Sequence, residues 1–273
     1  MTTKQYKRPP VVERAVSVTG DVSEQAFQER VDTWAEAVQD ALPVHTRKVE
    51  WEILIRDDNQ VPVLDEDGTK MRLVHQFWPS DPKETKASWC LQLWPSRLAV
   101  NLRRVNDRDL RSFQDLDRLA CDWIPRWGQH FGVRDVSKVV LEYCNLLSVE
   151  TVPEFATKDV VHLDKLITVF SSIPGPAGSM ITNPYKCMCG LLVKRDNEEY
   201  RCQVRVEGLA SAKRATVQVH FRADTADRAA LAPAAISPTL SALHGVVREM
   251  FEGFFTTEAK EVFGCHDLPN AQR

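Results

Sequence analysis

Long hydrophobic runs are missing from this sequence. A membrane-spanning helix needs about 18 to 20 consecutive apolar residues, and no stretch of the 273 residues approaches that length. The opening residues, MTTKQYKRPP, also lack the apolar core of a secretory leader. The sequence therefore predicts a cytoplasmic protein without a membrane association.

Glycine-rich and catalytic motifs are missing as well. We find no phosphate-binding loop, no dinucleotide fingerprint, no Gly-x-Ser-x-Gly elbow and no His-Glu-x-x-His. The loop at residues 173–179 lacks the Gly-Lys-Ser/Thr ending that cradles phosphates, and the acidic run at residues 65–68 predicts a turn rather than a calcium loop. These absences favour a protein that is not an enzyme, and we expect no cofactor.

The chain also lacks an excess of basic residues and a disulfide pattern. The chain has 35 Lys and Arg against 38 Asp and Glu, so its formal net charge is -3. Any nucleic-acid surface must therefore be local. The seven cysteines are an odd number and lie far apart, as expected of reduced thiols.

What the sequence does contain is one plan that occurs twice. A strand at residues 10–18 precedes a helical pattern, several strands with period-two alternation and a closing amphipathic helix. The plan restarts with a strand at residues 139–147 and ends in a second closing helix, but the helix after this strand is weak or missing. We predict an α+β fold of two similar units, residues 1–135 and 136–273. In each, an antiparallel sheet packs against amphipathic helices, and the two are fused side by side into one rigid body.

Capping signals predict where three of the helix ends lie. Asp21 with Glu24 resembles a capping box and predicts the first helix start. Ser237 followed by Pro238 predicts the start of the last helix, because serine is a preferred N-cap and proline is favoured at the first helical position. Gly264 is the expected C-cap of that helix.

Three segments, in the same order, resemble a known family. They are RPPVVERAVSV, LQLWPSRLAVNL and LSALHGVVREMFEGFFTTEAKEVFG, and a fourth, EYCNLL at residues 142–147, lies between them. The chain is similar to a sporadically distributed family of uncharacterised prokaryotic proteins, with a PPIVE-type opening strand, a Q...R...N hairpin and a closing LH...F...IT helix. The matching positions are Pro9, Pro10, Val12, Glu13, Gln92, Arg97, Asn101, Asn145, Leu243, His244, Phe251, Thr256 and Thr257.

The resemblance implies little about chemistry. The family has no assigned catalytic residues, so it implies no active site for this chain. The arginine of the family's mid-chain RYIN strand is replaced here by Glu142, which puts in doubt any role for an arginine at that position.

Cysteines on two neighbouring strands form a candidate metal site. Cys187 and Cys189 point to one face of their strand, and Cys202 shares the apolar face of the next. Cys265 or His266 could supply a fourth zinc ligand. Because the chain lacks Cys-x2-Cys knuckles, we favour the interpretation that these thiols are small buried hydrophobes and expect no metal.

The opposite face of the same strands is a candidate binding surface. Its side chains are polar or basic, and they could contact phosphate if the strands pair. One solvated face is also what an antiparallel sheet normally shows, and Glu199 and Glu207 flank this one. The residues are Arg201, Gln203, Arg205, Gln218, His220 and Arg222.

Two further candidates lie elsewhere in the chain. Trp78, Trp89 and Trp94 occur beside amide side chains and suit either ligand stacking or a core. His244 on the last helix could act as a general acid or base, but a hydrogen-bonded histidine at the edge of the core is the simpler interpretation. Glu13 faces the same choice, and pairing across the sheet is the simpler role.

We therefore expect a non-catalytic binding or regulatory protein that recognises a protein partner. The sporadic distribution implied by the resemblance fits an accessory component of a defence or mobile-locus system. One alternative is a nucleic-acid-binding module that uses the basic sheet face. The other is an enzyme or small-ligand-binding protein with a pocket between sheet and helix near His244.

Overall fold

The computed structural model describes residues 4–6, 10–53, 69–83, 87–105, 110–157, 160–168, 185–195, 198–210, 215–225, 229–230 and 232–267. The predicted turn at residues 65–68 and the predicted loop at residues 173–179 lie outside these ranges. No helix in the described ranges is long and apolar enough to cross a membrane.

The elements follow the predicted mixture of strands and helices. In chain order they are β1 (Lys4–Tyr6), β2 (Val11–Gly20), α1 (Glu24–Val38), β3 (Val44–Ile53), β4 (Thr69–Trp78), β5 (Trp89–Trp94), β6 (Arg97–Arg103), α2 (Phe113–Phe131), β7 (Asp135–Ser148), a 3-10 turn (Pro153–Phe155), β8 (Ala156–Thr157), β9 (Val160–Val161), α3 (Leu163–Leu166), β10 (Tyr185–Arg195), β11 (Glu198–Ala210), β12 (Ala215–Thr225), β13 (Ala229–Ala230), α4 (Pro233–Phe254), α5 (Thr257–Val262) and β14 (Cys265–Asp267).

The chain forms two compact units, and neither is a continuous stretch of sequence. The N-terminal unit comprises Ala15–Val139 and Asp227–Ser237, and the C-terminal unit comprises Met1–Arg14, Val140–Ala226 and Pro238–Arg273. The sequence-based ranges, 1–135 and 136–273, follow chain order instead. They differ because the long strands β2 and β7 each contribute residues to both units, which periodicity cannot show.

The predicted α+β architecture with antiparallel sheets is confirmed. In the N-terminal unit the strands are ordered β7-β2-β6-β5-β4-β3, with β13 also on β7, and in the C-terminal unit they are ordered β10-β11-β12-β7-β2. The pairs β3–β4, β4–β5, β5–β6, β10–β11, β11–β12 and β12–β7 are antiparallel. Each unit therefore places its opening strand beside the last strand of its meander.

Helix α1 begins two residues later than the predicted cap. The N-cap is Ser23, whose Oγ accepts a hydrogen bond from the backbone N–H of Ala26 at 3.2 Å. Asp21 was the wrong choice because serine immediately before the first helical residue can satisfy an unpaired N–H of the first turn. The helical pattern predicted after the first strand is confirmed, and the buried residues of α1 are Phe27, Val31, Trp34 and Val38.

Aromatic side chains fill the core between α1 and α2. The rings of Trp34 and Trp123 meet edge to face at 6.4 Å, and Phe27 stacks on Phe131 at 5.8 Å. These geometries are the favoured ones for aromatic pairs. The backbone approaches this core so closely at Gly20 that a Cβ there would lie 2.6 Å from Val133 Cγ1. Glycine is therefore required at the end of β2.

The last helix differs from its prediction at both ends. It starts at Pro233 rather than at Ser237, so Pro238 lies inside α4. The alanines of residues 232–235 favour helix, and the Ser237 Oγ donates to Asp117 Oδ2 at 2.8 Å instead of capping. A second start signal at Thr256 then divides the predicted helix in two, because its Oγ1 accepts from the backbone N–H of Ala259 and caps α5.

The C-terminal unit has a core of phenylalanines beneath α4. Phe221 of β12 contacts Phe251, Phe254 and Phe255 at ring distances of 5.2 to 6.0 Å. The short helix α3 is tied to the α4–α5 break, since Ile167 bridges Phe255 and the Thr256 backbone N–H donates to Leu166 O. The predicted C-cap region is present, and Gly264 adopts a φ of 72°.

Candidate binding surface on the C-terminal sheet

The six predicted binding residues lie on one face of the C-terminal sheet. Arg205 faces His220, and Gln203 faces Arg222, across the antiparallel β11–β12 pair. Their neighbours Cys202, Val204, Val206, Val217, Val219 and Phe221 alternate with them and are buried. The period of two therefore predicted the two faces correctly.

Acidic side chains neutralise much of this face. Arg205 lies 3.4 Å from the carboxylate of Glu207 and 3.9 Å from that of Glu142. Arg222 lies 3.9 Å from Asp224. Alternation along the strands places three arginines and four carboxylates on the face, the latter being Glu142, Glu199, Glu207 and Asp224. The basic patch is in fact a network of ion pairs.

Glu142 is the carboxylate at the centre of the network. Burial raises its pKa, but the hydrogen bond from His220 and the charges of Arg205 and Arg222 outweigh burial, so the pKa is lowered overall. The distance from His220 Nδ1 to Glu142 Oε1 is 2.8 Å. An ionised carboxylate only accepts hydrogen bonds, so Nδ1 of His220 donates to Glu142.

The thiol of Cys144 completes a row of three groups. Its Sγ lies 3.7 Å from His220 Nε2, so thiol, imidazole and carboxylate occur in the order of a nucleophile, base and orienting group. Cys144 is only 8% exposed. Burial and the charges of Glu13 and Glu142 raise its pKa to about 12. The raised pKa favours the protonated thiol at neutral pH.

The guanidinium of Arg205 covers this imidazole. Its Nη2 lies 3.2 Å from His220 Nδ1 and 3.3 Å from Nε2. A nitrogen nearly equidistant from both ring nitrogens lies over the ring face rather than along either lone pair. Arg205 is thus held against His220 between two carboxylates, which leaves it poorly placed to reach a phosphate.

Apolar side chains are exposed where β10 forms the outer strand of this sheet. Met188, Leu191 and Leu192 are 61%, 49% and 57% exposed. Met188 and Leu192 lie on the polar face, and Leu191 lies on the other face, because side chains alternate along a strand. Beside them are the exposed Arg201, which faces Leu192 in register, and Lys194. We call Met188, Leu191, Leu192, Lys194 and Arg201 the hairpin surface.

The three thiols considered as metal ligands do not share one environment. Cys202 is buried and its Sγ donates to Tyr200 O at 3.9 Å, whereas Cys189 is exposed. The side chains of Cys187, Cys265 and His266 lie outside the described residues. Within the described part of the chain, no group of three or more metal-binding side chains is assembled.

The family-motif positions fall in both units. In the N-terminal unit, Arg97 lies over the Trp94 ring at 4.7 Å, Asn101 Nδ2 donates to Cys90 Sγ at 3.9 Å, and Gln92 is half-buried on β5. In the C-terminal unit, the fully buried Asn145 donates its Nδ2 to Val219 O at 3.0 Å. Glu13 lies on β2. These contacts are those of side chains that join strands and pack against the core.

His244 is half-buried and hydrogen-bonded. Its Nδ1 lies 2.8 Å from the hydroxyl oxygen of Tyr143. Burial, with the charges of Arg248 and Arg14, lowers the pKa of His244 to about 4. Burial also raises the pKa of Tyr143. Both shifts move the pKa away from neutral pH.

A groove lies between α1 and α2 of the N-terminal unit, away from His244. Its volume is about 340 Å³, and Trp34 and Trp123 form its floor with Arg126, Gln129 and His130 at its rim. The tryptophans singled out from the sequence lie elsewhere. Trp78 and Trp94 are buried in the core of the N-terminal unit and Trp89 is half-buried.

Sequence reasoning missed the three features that define this surface. The row Glu142, Cys144 and His220 depends on the register of β7 against β12, which no local pattern gives. The ion pairs of Arg205 depend on the same register. One pattern in the sequence could have predicted the exposure of Met188, Leu191 and Leu192. Apolar residues continue on both sides of Gly190 without the polar–apolar alternation that the neighbouring strands β11 and β12 show.

Comparisons with known proteins identify no relative. No family model and no curated protein matches the chain. Among solved structures it is similar to the one described as the crystal structure of the di-domain ARO/CYC StfQ from the steffimycin biosynthetic pathway. The identity is 11% and the TM-score 0.20, and the match covers 89% of this chain and 95% of that chain. A TM-score this low carries no argument, and the family resemblance of the sequence stays a prediction.

Proposed function

We propose that the protein is a binding protein, without catalysis of its own, that recognises a protein partner through the hairpin surface. The observation that carries this proposal is the exposure of Met188, Leu191 and Leu192 beside Arg201. Methionine, arginine and large apolar side chains are enriched at protein interfaces. Contiguous apolar patches on soluble proteins commonly mark interaction sites.

The chemistry of the surface favours an extended segment with exposed apolar side chains as the partner. Met188 and Leu192 provide apolar contact on the polar face, and the cations Arg201 and Lys194 lie beside them. An accessory role in a defence or mobile-locus system fits this activity and comes from the sequence resemblance.

The network on the rest of the face supports a protein partner over nucleic acid. Phosphate binding depends on cations that can release counterions, and Arg205 and Arg222 are already close to carboxylates of the same face. The raised pKa of Cys144 and the lowered pKa of His244 likewise support a role without catalysis.

Affinity capture with matched variants tests the proposal. The full chain is immobilised and exposed to an extract of the cells that produce it, beside Met188→Glu with Leu192→Glu. We expect one stoichiometric protein that the wild type retains and the double variant loses. The control is Val49→Glu with Leu73→Glu, an exposed apolar cross-strand pair on β3 and β4. A protein lost from both variants, or from neither, would argue against the hairpin surface.

A further inference from the structure

Strand β10 has a backbone edge as well as exposed side chains. It pairs with β11 on one side, and no other strand of the described residues pairs with it. The outer strand of a sheet presents N–H and C=O groups that another strand can use. Its occupant is therefore best sought among extended segments of matching side-chain pattern.

The pattern of β10 matches itself. Met188 and Leu192 lie two residues on either side of Gly190, and Cys189 and Leu191 lie one residue on either side. All four flanking residues are exposed. We propose, on the basis of the proposed function, that the partner of the hairpin surface is a second copy of this chain, with the two β10 strands antiparallel about a twofold axis at Gly190.

This register pairs apolar groups on both faces. Met188 of one copy meets Leu192 of the other on the polar face, and Cys189 meets Leu191 on the opposite face, each pair occurring twice. Contacts between directly opposite side chains stabilise antiparallel strand pairs. Moving the axis to residue 189 or 191 sets Gly190 opposite Met188 or Leu192 and loses those pairs. A one-residue slip sets side chains of opposite faces against each other.

The polar face is open above Gly190, the residue beside which the axis passes. A Cβ built on Gly190 would have no heavy atom within 4 Å. Glycine inside a strand commonly marks a place where another backbone comes close. The protein's own side chains therefore do not fill the space above this residue.

Like charges at the ends of the strand limit the affinity. The register sets Lys186 of one copy opposite Lys194 of the other, and like charges directly opposite are destabilising. Lys194 is 78% exposed and lies 4.0 Å from Glu199 of its own chain, so it is partly compensated. Salt screens exposed charges. Self-association should therefore strengthen as the salt concentration rises.

Sedimentation velocity of the purified full chain tests the proposal. We expect a monomer–dimer equilibrium whose dissociation constant falls with added salt. Met188→Glu with Leu192→Glu should weaken it at least about 100-fold, because the substituted Met188–Leu192 pair occurs twice and a tenfold loss is expected for each occurrence. These positions are exposed, so the fold should survive. Val49→Glu with Leu73→Glu is the matched control and should leave the equilibrium unchanged.

Cross-linking tests the register. Leu191→Cys places a thiol opposite the native Cys189 of the second copy, and oxidation should give a covalent dimer on a non-reducing gel. Adding Cys189→Ser to that variant should abolish the dimer. A wild type that stays monomeric at high concentration, a dimer that survives the glutamates, or an absence of cross-linking would overturn the inference.

The outcomes separate this inference from the proposed function. A monomeric wild type that captures a different protein through the hairpin surface leaves the function standing and removes the second copy as partner. If the chain does not self-associate and captures no protein through the hairpin surface, both the inference and the proposed function fail.

Discussion

The two units share one strand order but cover their sheets differently. In the N-terminal unit the opening strand is followed by the 15-residue helix α1, whose Phe27 packs against His75 of β4. In the C-terminal unit the helix at the corresponding place is α3, with four residues. Strand β10, which corresponds to β4, exposes Met188, Leu191 and Leu192. The shorter helix accounts for the exposure of Leu191, which faces the buried Cys202 in register, whereas Met188 and Leu192 are exposed because they lie on the polar face.

The two units should differ most in the free energy of unfolding that is lost when one apolar side chain is truncated in each. Trp34→Ala removes a buried ring that contacts three aromatic side chains, and should cost about 3–5 kcal/mol in the free energy of unfolding. Leu191→Ala should change it by less than about 0.5 kcal/mol. Urea unfolding at low protein concentration measures both. A large cost for Leu191→Ala would show that β10 is covered in the monomer, and the comparison would fail.

Acid should instead weaken the two units alike. His75 in the N-terminal unit and His244 in the C-terminal unit both have a pKa lowered to about 4. The unfolded chain takes up protons below about pH 6.5 and the folded chain does not, so stability is full above pH 6.5 and is lost as the pH falls towards 4. Each histidine should contribute about 2–3 kcal/mol to this loss.

The control for the acid effect is substitution of one histidine. His244→Gln should lessen the decline of the urea midpoint between pH 6.5 and 4, leaving the parts that come from His75 and from His45, whose pKa is also lowered by burial. If the decline is unchanged, the folded chain takes up a proton at His244 as readily as the unfolded chain does, and its pKa is not lowered.

The polar network belongs to the C-terminal unit and has a smaller expected effect. Glu142→Gln should cost about 1–2 kcal/mol, because it removes the charged acceptor of His220 in a half-buried place. A double-mutant cycle with His220→Gln, followed by thermal unfolding, isolates the coupling. A coupling energy near zero would mean that the two side chains do not interact in solution.

The smallest effect is expected for nucleic acid. Arg205→Ala with Arg222→Ala should leave binding to a single-stranded oligonucleotide near background, as in the wild type, because both arginines already face carboxylates. Fluorescence anisotropy at several salt concentrations measures this. Strong, salt-dependent wild-type binding that the double variant weakens would favour the nucleic-acid alternative.

Local patterns predicted most of the fold. The helical pattern of α1 and the two faces of β11 and β12 follow from periods of 3.6 and 2. Helix ends were less predictable. Ser23 competed with Asp21 for one cap, and Thr256 competed with continuation of α4, and such choices depend on tertiary contacts such as the Thr256 backbone N–H to Leu166 O.

The sequence predicted which residues share one face of the sheet, but not which of them interact. Alternation identified which residues point away from the core, but not that Glu142 would lie beside His220 and Arg205, because β7 and β12 are about 70 residues apart in the chain. Pairing of charges is a property of register. A face that is basic in a list of residues can therefore be nearly neutral once its strands are assembled.

The division of β2 between the units has a consequence for synthesis. Residues up to Arg14 join strands that follow Val140, and the unit begun at Ala15 also includes Asp227–Ser237. The N-terminal unit is complete only once Ser237 has been synthesised, and the C-terminal unit needs the residues after it. A nascent chain of about 200 residues holds every strand of the N-terminal unit except β13, whereas the C-terminal unit still lacks β12 and its part of α4, so the C-terminal unit should fold after the N-terminal one.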